Sequence, residues 1–273
     1  YEPCIRNSSM KLRSYLAFFS IVGLLSPAAW AFPEQVTKHG PNCWNAALVH
    51  GGVLEAIRYM SGHELHEVLN SGVCTPVPES QLEGGELRVY TLPLAQLNET
   101  DRYIHANLRI DSENSLNKMT NLLTSKTQIE REEVVRSTYG RVAEIITLRD
   151  REGRSFQCRG KSCDTRIDYY RCGSLEARLQ AEGGPLYPLF QEISRGLHRF
   201  AFLAVETDES EIASLKAHLA TKASLFQDEL TNHCPSTGFP CAYYREAARS
   251  FQEQLAFRQP SRDWLVNWAR QNP

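Results

Sequence analysis

No block of lysine and arginine occurs along the 273 residues, whose basic side chains number 30 against 32 acidic ones. Nothing in that balance suggests a nucleic-acid surface. No two cysteines stand two residues apart. Cys158, Cys163 and Cys172 have four and eight intervening residues, so the knuckle of common zinc sites is absent and no metal is expected. A metalloprotease helix is missing as well. His63 and His66 are three apart around Glu64, where zinc needs two His four apart. That stretch reads as a solvated helix or loop. No internal repeat is evident. The apolar run Tyr15–Pro27 is too short to span a bilayer comfortably, so no stable membrane span is expected.

The short apolar run has a different use. Met10-Lys11-Leu12-Arg13 precedes it, and Ala29-Trp30-Ala31 follows with small residues at the two positions a signal peptidase reads. Residues 1–31 therefore read as a cleavable signal peptide, with 1–9 as an upstream extension and cleavage after Ala31. No cysteine directly follows that point to carry a lipid. The expected destination is the periplasm or the medium. Residues 1–31 carry three basic side chains against one acidic, so the mature chain would move from the whole chain's −2 to near −4.

Export changes the meaning of cysteine. Seven lie beyond Ala31, namely Cys43, Cys74, Cys158, Cys163, Cys172, Cys234 and Cys241. In an oxidising compartment most should pair, and an odd number leaves one over. Three bridges with Cys43 outside them is the simplest allocation. Cys234 and Cys241 flank a Pro/Gly turn and could close on each other or reach back to the earlier cysteines.

Cys43 stands apart because of its setting. Asn42 is a candidate N-cap, and the run after it reads as helix through about Arg58. The sulfur then lies in the first turn, where unpaired N–H groups and the helix dipole favour a thiolate. The competing reading makes Cys43 half of a disulfide or a small buried apolar residue. His50, two turns along the same helix, cannot meet the sulfur and reads as a packing residue.

Strand patterns follow. Glu86–Leu92 is strand-like. Arg102–Ile110 alternates, with Ile104, Ala106, Leu108 and Ile110 on one face and Tyr103, His105, Asn107 and Arg109 on the other. Leu116–Met119 returns after a polar turn to make a hairpin. His105 and Asn117 fall close to opposite positions, so Asn117 could hold the imidazole's tautomer and orientation. Ile129–Tyr139 reads as a helix capped by Thr127, and Arg141–Arg149 as a further strand. Asn98-Glu99-Thr100 is a glycosylation sequon in the loop Pro93–Asp101. Beyond Arg149, residues 150–173 read as a disulfide-stapled connector. Helical periodicity then takes over at Ser174–Gly183, Pro188–Val205, Ser210–Asn232, Pro240–Arg258 and Ser261–Arg270.

Four stretches together resemble the NlpC/P60 branch of papain-like cysteine peptidases. They are Asn42-Cys43-Trp44-Asn45, Gly84-Gly85-Glu86-Leu87-Arg88-Val89-Tyr90, His105-Ala106-Asn107-Leu108-Arg109-Ile110, and Asn117. Ser137, Tyr139 and Gly140 before a closing strand also fit. The resemblance covers about residues 36–150. It implies an α+β fold in which an antiparallel sheet packs on the Cys-bearing helix. The domain would run over 32–150, with a mainly helical, cysteine-containing region at 151–273. It also implies Cys43 as nucleophile, His105 as general base and Asn117 as the orienting residue, with no cofactor. The reaction would be thiolate attack on an amide of a peptide or peptidoglycan-like substrate. Cell-wall members carry Asp-Cys-Ser-Gly where this chain has Asn42-Cys43-Trp44-Asn45, and Asn107 stands where they have Gly. Those departures keep a second reading open, a secreted interaction protein on an inactive papain-like domain. A third gives the helical half a structural or inhibitory role.

Overall fold

Asn42 opens the first helix, α1 (Cys43–His50), from an extended conformation. Its side-chain oxygen accepts the Asn45 N–H at 3.4 Å, and its amide donates to the Met60 carbonyl at 2.6 Å. One side chain thus caps the helix and ties the chain that returns beneath it. The computed structural model describes residues 41–118, 127–144, 146–203 and 209–256. The signal-peptide reading of 1–31 and the helix expected at 261–270 lie outside the described residues.

Helix α1 stops well short of Arg58. Gly51 caps it, and Gly52 turns the chain at a φ of +71°, a region open to glycine. The early stop leaves His50 exposed in the last turn rather than packed in a core. Helix α2 (Gly62–Asn70) follows, capped by Ser61, which accepts the Glu64 N–H at 3.1 Å. It carries the His63–Glu67 stretch expected to be solvated. Glu64 is instead fully buried on Arg58, while His63 is exposed and His66 half-buried.

The sheet is six-stranded and antiparallel, in the order β1-β8-β2-β3-β4-β5. Its strands are β1 (Cys74–Pro76), β2 (Leu87–Thr91), β3 (Tyr103–Arg109), β4 (Asn114–Asn117), β5 (Gln128–Arg131) and β8 (Arg166–Cys172). The β3–β4 hairpin lies where the alternation put it. Residues 128–131 are extended, and helix α3 (Glu132–Tyr139) begins only after them. The strand expected over 141–149 shrinks to β6 (Leu148–Arg149), paired with β7 (Ser155–Phe156), behind a short 3-10 turn at Val142–Glu144. Burial of Val142 and Ala143 in that turn accounts for the apolar pattern that suggested a strand.

Strand β8 corrects the expected division at residue 150. It inserts between β1 and β2, pairing Cys74 with Cys172 on one side and Val89 with Asp168 on the other. Its run of Arg, Asp and Tyr lacks apolar alternation, which hid it. The helical part is joined to the same body. Helices α4 (Leu175–Glu182), α5 (Leu186–Leu203), α6 (Glu209–His233) and α7 (Cys241–Ala256) supply Phe190, Leu197, Phe226 and Phe251 to the core that holds Cys43, Trp44 and Leu48. The molecule is α+β, and its helices after 173 share a core with α1.

Two cores lie on the two faces of the sheet. The first takes Leu87, Val89 and Ala106 from the sheet. The second takes Tyr90, Leu92 and Ile104, with Val135, Tyr139, Val142 and Leu148. A register shift at Tyr90/Thr91 puts Ile104 on the second core and Tyr103 against the first, the reverse of simple alternation.

Three disulfides are formed, Cys74–Cys172, Cys158–Cys163 and Cys234–Cys241. The last closes the short step between α6 and α7. Cys43 is disulfide-bonded as well.

Asn42 provides a first test. Asn42→Ala removes the cap and leaves the Met60 carbonyl without its donor. It should cost about 2 kcal/mol in urea unfolding, and Asn42→Asp, which keeps only the cap, should cost less. Equal losses for the two variants would contradict the double role.

Candidate functional site

The residues proposed for chemistry come from α1, β3 and β4. In the hairpin, Leu108 pairs with Leu116 and Arg109 with Ser115, so Asn117 projects on the face that carries His105 and Asn107. His105 Nε2–H donates to Asn117 Oδ1 at 2.6 Å. The structure therefore joins His105 and Asn117. That bond leaves Nδ1 as the ring's lone-pair nitrogen, and it is buried with no hydrogen-bond partner among the described residues.

Around the imidazole the packing is aromatic. Tyr139 of α3 stacks on it with ring centroids 3.8 Å apart and planes within 6°. Tyr90, its cross-strand neighbour, lies at 5.6 Å. The Tyr90 hydroxyl donates to Glu132 Oε1 at 3.1 Å, Arg136 Nε donates to the same oxygen at 2.8 Å, and Arg88 pairs with the other oxygen. Asn107 donates to Ser115 Oγ at 3.2 Å. The result is a buried polar layer facing α3. Of its members, Tyr139 and Arg88 drew notice in the sequence only within a resemblance, and Glu132 was not singled out at all. Charged residues on a fully buried strand and at a helix start carry no periodic signal that marks them as partners.

Cys43 is not in this layer. It is buried in the first core with Trp44, Leu48 and Ala106, whereas Tyr90 and Tyr139, which flank His105, belong to the second. Ala106 and His105 are neighbours on one strand and point to opposite faces. The structure thus puts the sulfur and the imidazole on different sides of the sheet.

Electrostatics follow from this enclosure. Burial drives the His105 pKa down to about 3, only partly offset by the bond to Asn117, so the ring is neutral at neutral pH. Lys118, at the end of β4, is also buried, and desolvation lowers its ammonium to about 8. Among the described residues no group of His, Cys, Asp and Glu side chains converges as metal ligands would. A small cavity lies between Leu54, Arg58, Phe190, Ser194 and Arg195, and it touches none of Cys43, His105 or Asn117.

No family model, curated protein or solved structure matches this chain.

The low pKa of His105 has a consequence for stability. Below its ordinary value of 6.5 the unfolded ring takes up a proton that the folded ring refuses until about pH 3. The contribution is fully present above pH 6.5 and is lost as pH falls through that window. Unfolding free energy should therefore fall by up to about 1.4 kcal/mol per pH unit between roughly pH 6 and 4. His105→Leu should flatten that slope. Urea titrations at each pH giving the same slope for both proteins would refute the assignment.

Proposed function

We propose that the chain is an exported, non-catalytic binding protein built on a papain-like, NlpC/P60-type plan. The observation that carries this reading is the position of Cys43. It is 1% exposed and packed in the core on the face of the sheet away from His105. An imidazole behind a β-sheet cannot take a proton from that sulfur, whatever its redox state. The papain-like plan is supported by a capped helix that begins at Cys43 and packs on an antiparallel sheet, and by a His–Asn pair on adjacent strands. Export is supported by three disulfides and by a signal-like sequence at residues 10–31. None of the helices among the described residues is long and apolar enough to cross a membrane.

The 2.6 Å bond from His105 to Asn117 favours a second reading, a cysteine hydrolase cleaving an amide of a cell-wall peptide or related substrate. That reading requires reduced Cys43 and an altered β3.

Thiol mapping on the protein recovered from an export host separates the two. In the non-catalytic case burial leaves Cys43 of the folded chain unlabelled by iodoacetamide, and peptide amides turn over no faster with the native chain than with Cys43→Ser. Rapid alkylation of Cys43, with amide hydrolysis that Cys43→Ser abolishes, would replace the binding protein by the hydrolase.

A further inference from the structure

The small cavity beside Phe190 lies where the loop after α1 meets α4 and α5, and four charged side chains line it, Glu55, Arg58, Glu176 and Arg195. Three of them are paired. Arg58 is held by Glu64, and Arg195 Nη2 donates to Glu55 Oε2 at 2.9 Å. Glu176 is in no ion pair among the described residues. Both arginines feel its field, and neither bonds it. With Glu64 counted, three carboxylates face two guanidinium groups. Glu176 is 7% exposed, and Tyr187, Gln191 and the Glu55 N–H give it hydrogen bonds. It is a buried carboxylate with hydrogen bonds and no counter-ion, an arrangement that folded chains seldom tolerate without a partner.

A second, independent feature lies in the same place. Ser194 of α5 lines the cavity and is 5% exposed, and its Oγ has no hydrogen-bond partner among the described residues. A lone carboxylate and an orphaned hydroxyl share one need, a charged group that donates hydrogen bonds. Burial, and after it the Glu55 carboxylate, push the Glu176 pKa up, so a cation placed here would relieve the charge. Glu176 also sits in the first turn of α4, whose dipole favours the carboxylate over the acid. The frame is fixed in advance. The N–H groups of Leu175 and Glu176 both donate to the Val53 carbonyl, at 3.0 and 3.1 Å, so little freedom is lost on binding.

We propose that this cavity binds a primary ammonium group, with Glu176 as its counter-ion and Ser194 Oγ as a second acceptor. Size selects the ligand. The interior is about 10 Å³, room for one water-sized group, which admits an ammonium and excludes a guanidinium or a quaternary ammonium. No cluster of His, Cys, Asp and Glu among the described residues is arranged to hold a metal ion, so the two acceptors suit a donor of hydrogen bonds better than a divalent cation. Leu54 and Phe190 give an apolar wall to the carbon chain behind the nitrogen. The group is carried by a free amine or by a lysine of a partner. The inference rests on the binding-protein reading and deepens it by giving the ligand a chemistry.

The test titrates the full chain by NMR with methylammonium, guanidinium and tetramethylammonium chlorides at constant ionic strength. Methylammonium should give saturable shifts at the Ser194 and Glu176 amides, and the two larger cations should bind roughly tenfold more weakly or not at all. Glu176→Gln should lower methylammonium affinity by roughly tenfold or more. Glu192→Gln neutralises an exposed carboxylate of α5 outside the cavity and should change it by less than about twofold. Circular dichroism and urea midpoints equal to those of the native chain show that each variant is folded. If Glu176→Gln does not fold, Ser194→Ala, which removes the second acceptor, should still weaken binding roughly threefold. Cadaverine and a capped lysine tripeptide then tell the carriers apart, and tighter binding of either one supports the site. No saturable methylammonium shift, equal losses for Glu176→Gln and Glu192→Gln, or guanidinium binding as tight as methylammonium would each overturn the proposal. Such a failure leaves the thiol-mapping result untouched, because Cys43 does not line this cavity.

Discussion

Glu64→Ala should destabilise the protein by about 3–5 kcal/mol, because it strands a buried guanidinium. Arg58 is 1% exposed and Glu64 0%, and the two side chains are paired through both guanidinium nitrogens. Burial works against the Arg58 charge, and Glu64 more than offsets it, so the guanidinium stays above its ordinary pKa. The ring faces of Phe251 and Phe190 lie 4.8 and 5.8 Å from it. The pair does more than neutralise itself. Arg58 NH1 donates to the Tyr59 carbonyl at 2.8 Å, the Tyr59 N–H reaches Gln254 at 3.1 Å, and the Ser61 N–H reaches Ser250 at 3.1 Å. The loop between α1 and α2 is bolted to α7 by these groups. A loss of this size is a large share of the 5–15 kcal/mol typical of a folded chain. Replacing both partners by apolar residues, Arg58→Met with Glu64→Leu, should cost less than Glu64→Ala alone. Urea denaturation of the three proteins decides it, and a single variant as stable as the double would contradict the account.

Removing the Cys74–Cys172 bridge should cost comparably, about 4–5 kcal/mol in the chain-entropy view, since the bridge spans 98 residues of sequence. The Cys158–Cys163 bridge spans only 5, and its loss should cost about 2 kcal/mol on the same reasoning. The expected ranking is therefore Cys74→Ala/Cys172→Ala well below Cys158→Ala/Cys163→Ala in thermal midpoint. Reversal of that order would mean that the first bridge does little beyond decorating a pairing that β1 and β8 already make.

How much of this was legible beforehand varies with the kind of signal. The cap at Asn42, the β3–β4 hairpin and the contact between His105 and Asn117 were readable, because each rests on local geometry within a dozen residues. The helices after Ser174 were readable for the same reason, since their apolar spacing is regular. Strand β8 was not, because its partners lie about a hundred residues earlier and its side chains carry no alternation. The end of α1 was misread because Gly51-Gly52 outweighed the apolar spacing continuing through Val53, Leu54 and Ile57. Most consequential was the face of the sheet. The alternation correctly put His105 opposite Ala106, but no pattern in the sequence says on which side a helix sixty residues away will pack. The sulfur and the imidazole were therefore matched by order along the chain and separated by packing.

The position of β8 has a consequence for how the molecule comes to exist. A nascent chain that has emerged only as far as β5 holds β1 with no neighbour and β2 with one open edge. Neither gap can close until the codons for 166–172 have been translated and that strand slides in between. The N-terminal portion thus has no finished sheet of its own to adopt early. Assembly of the sheet waits for β8, and Cys74 can be tied to Cys172 only once the two strands meet.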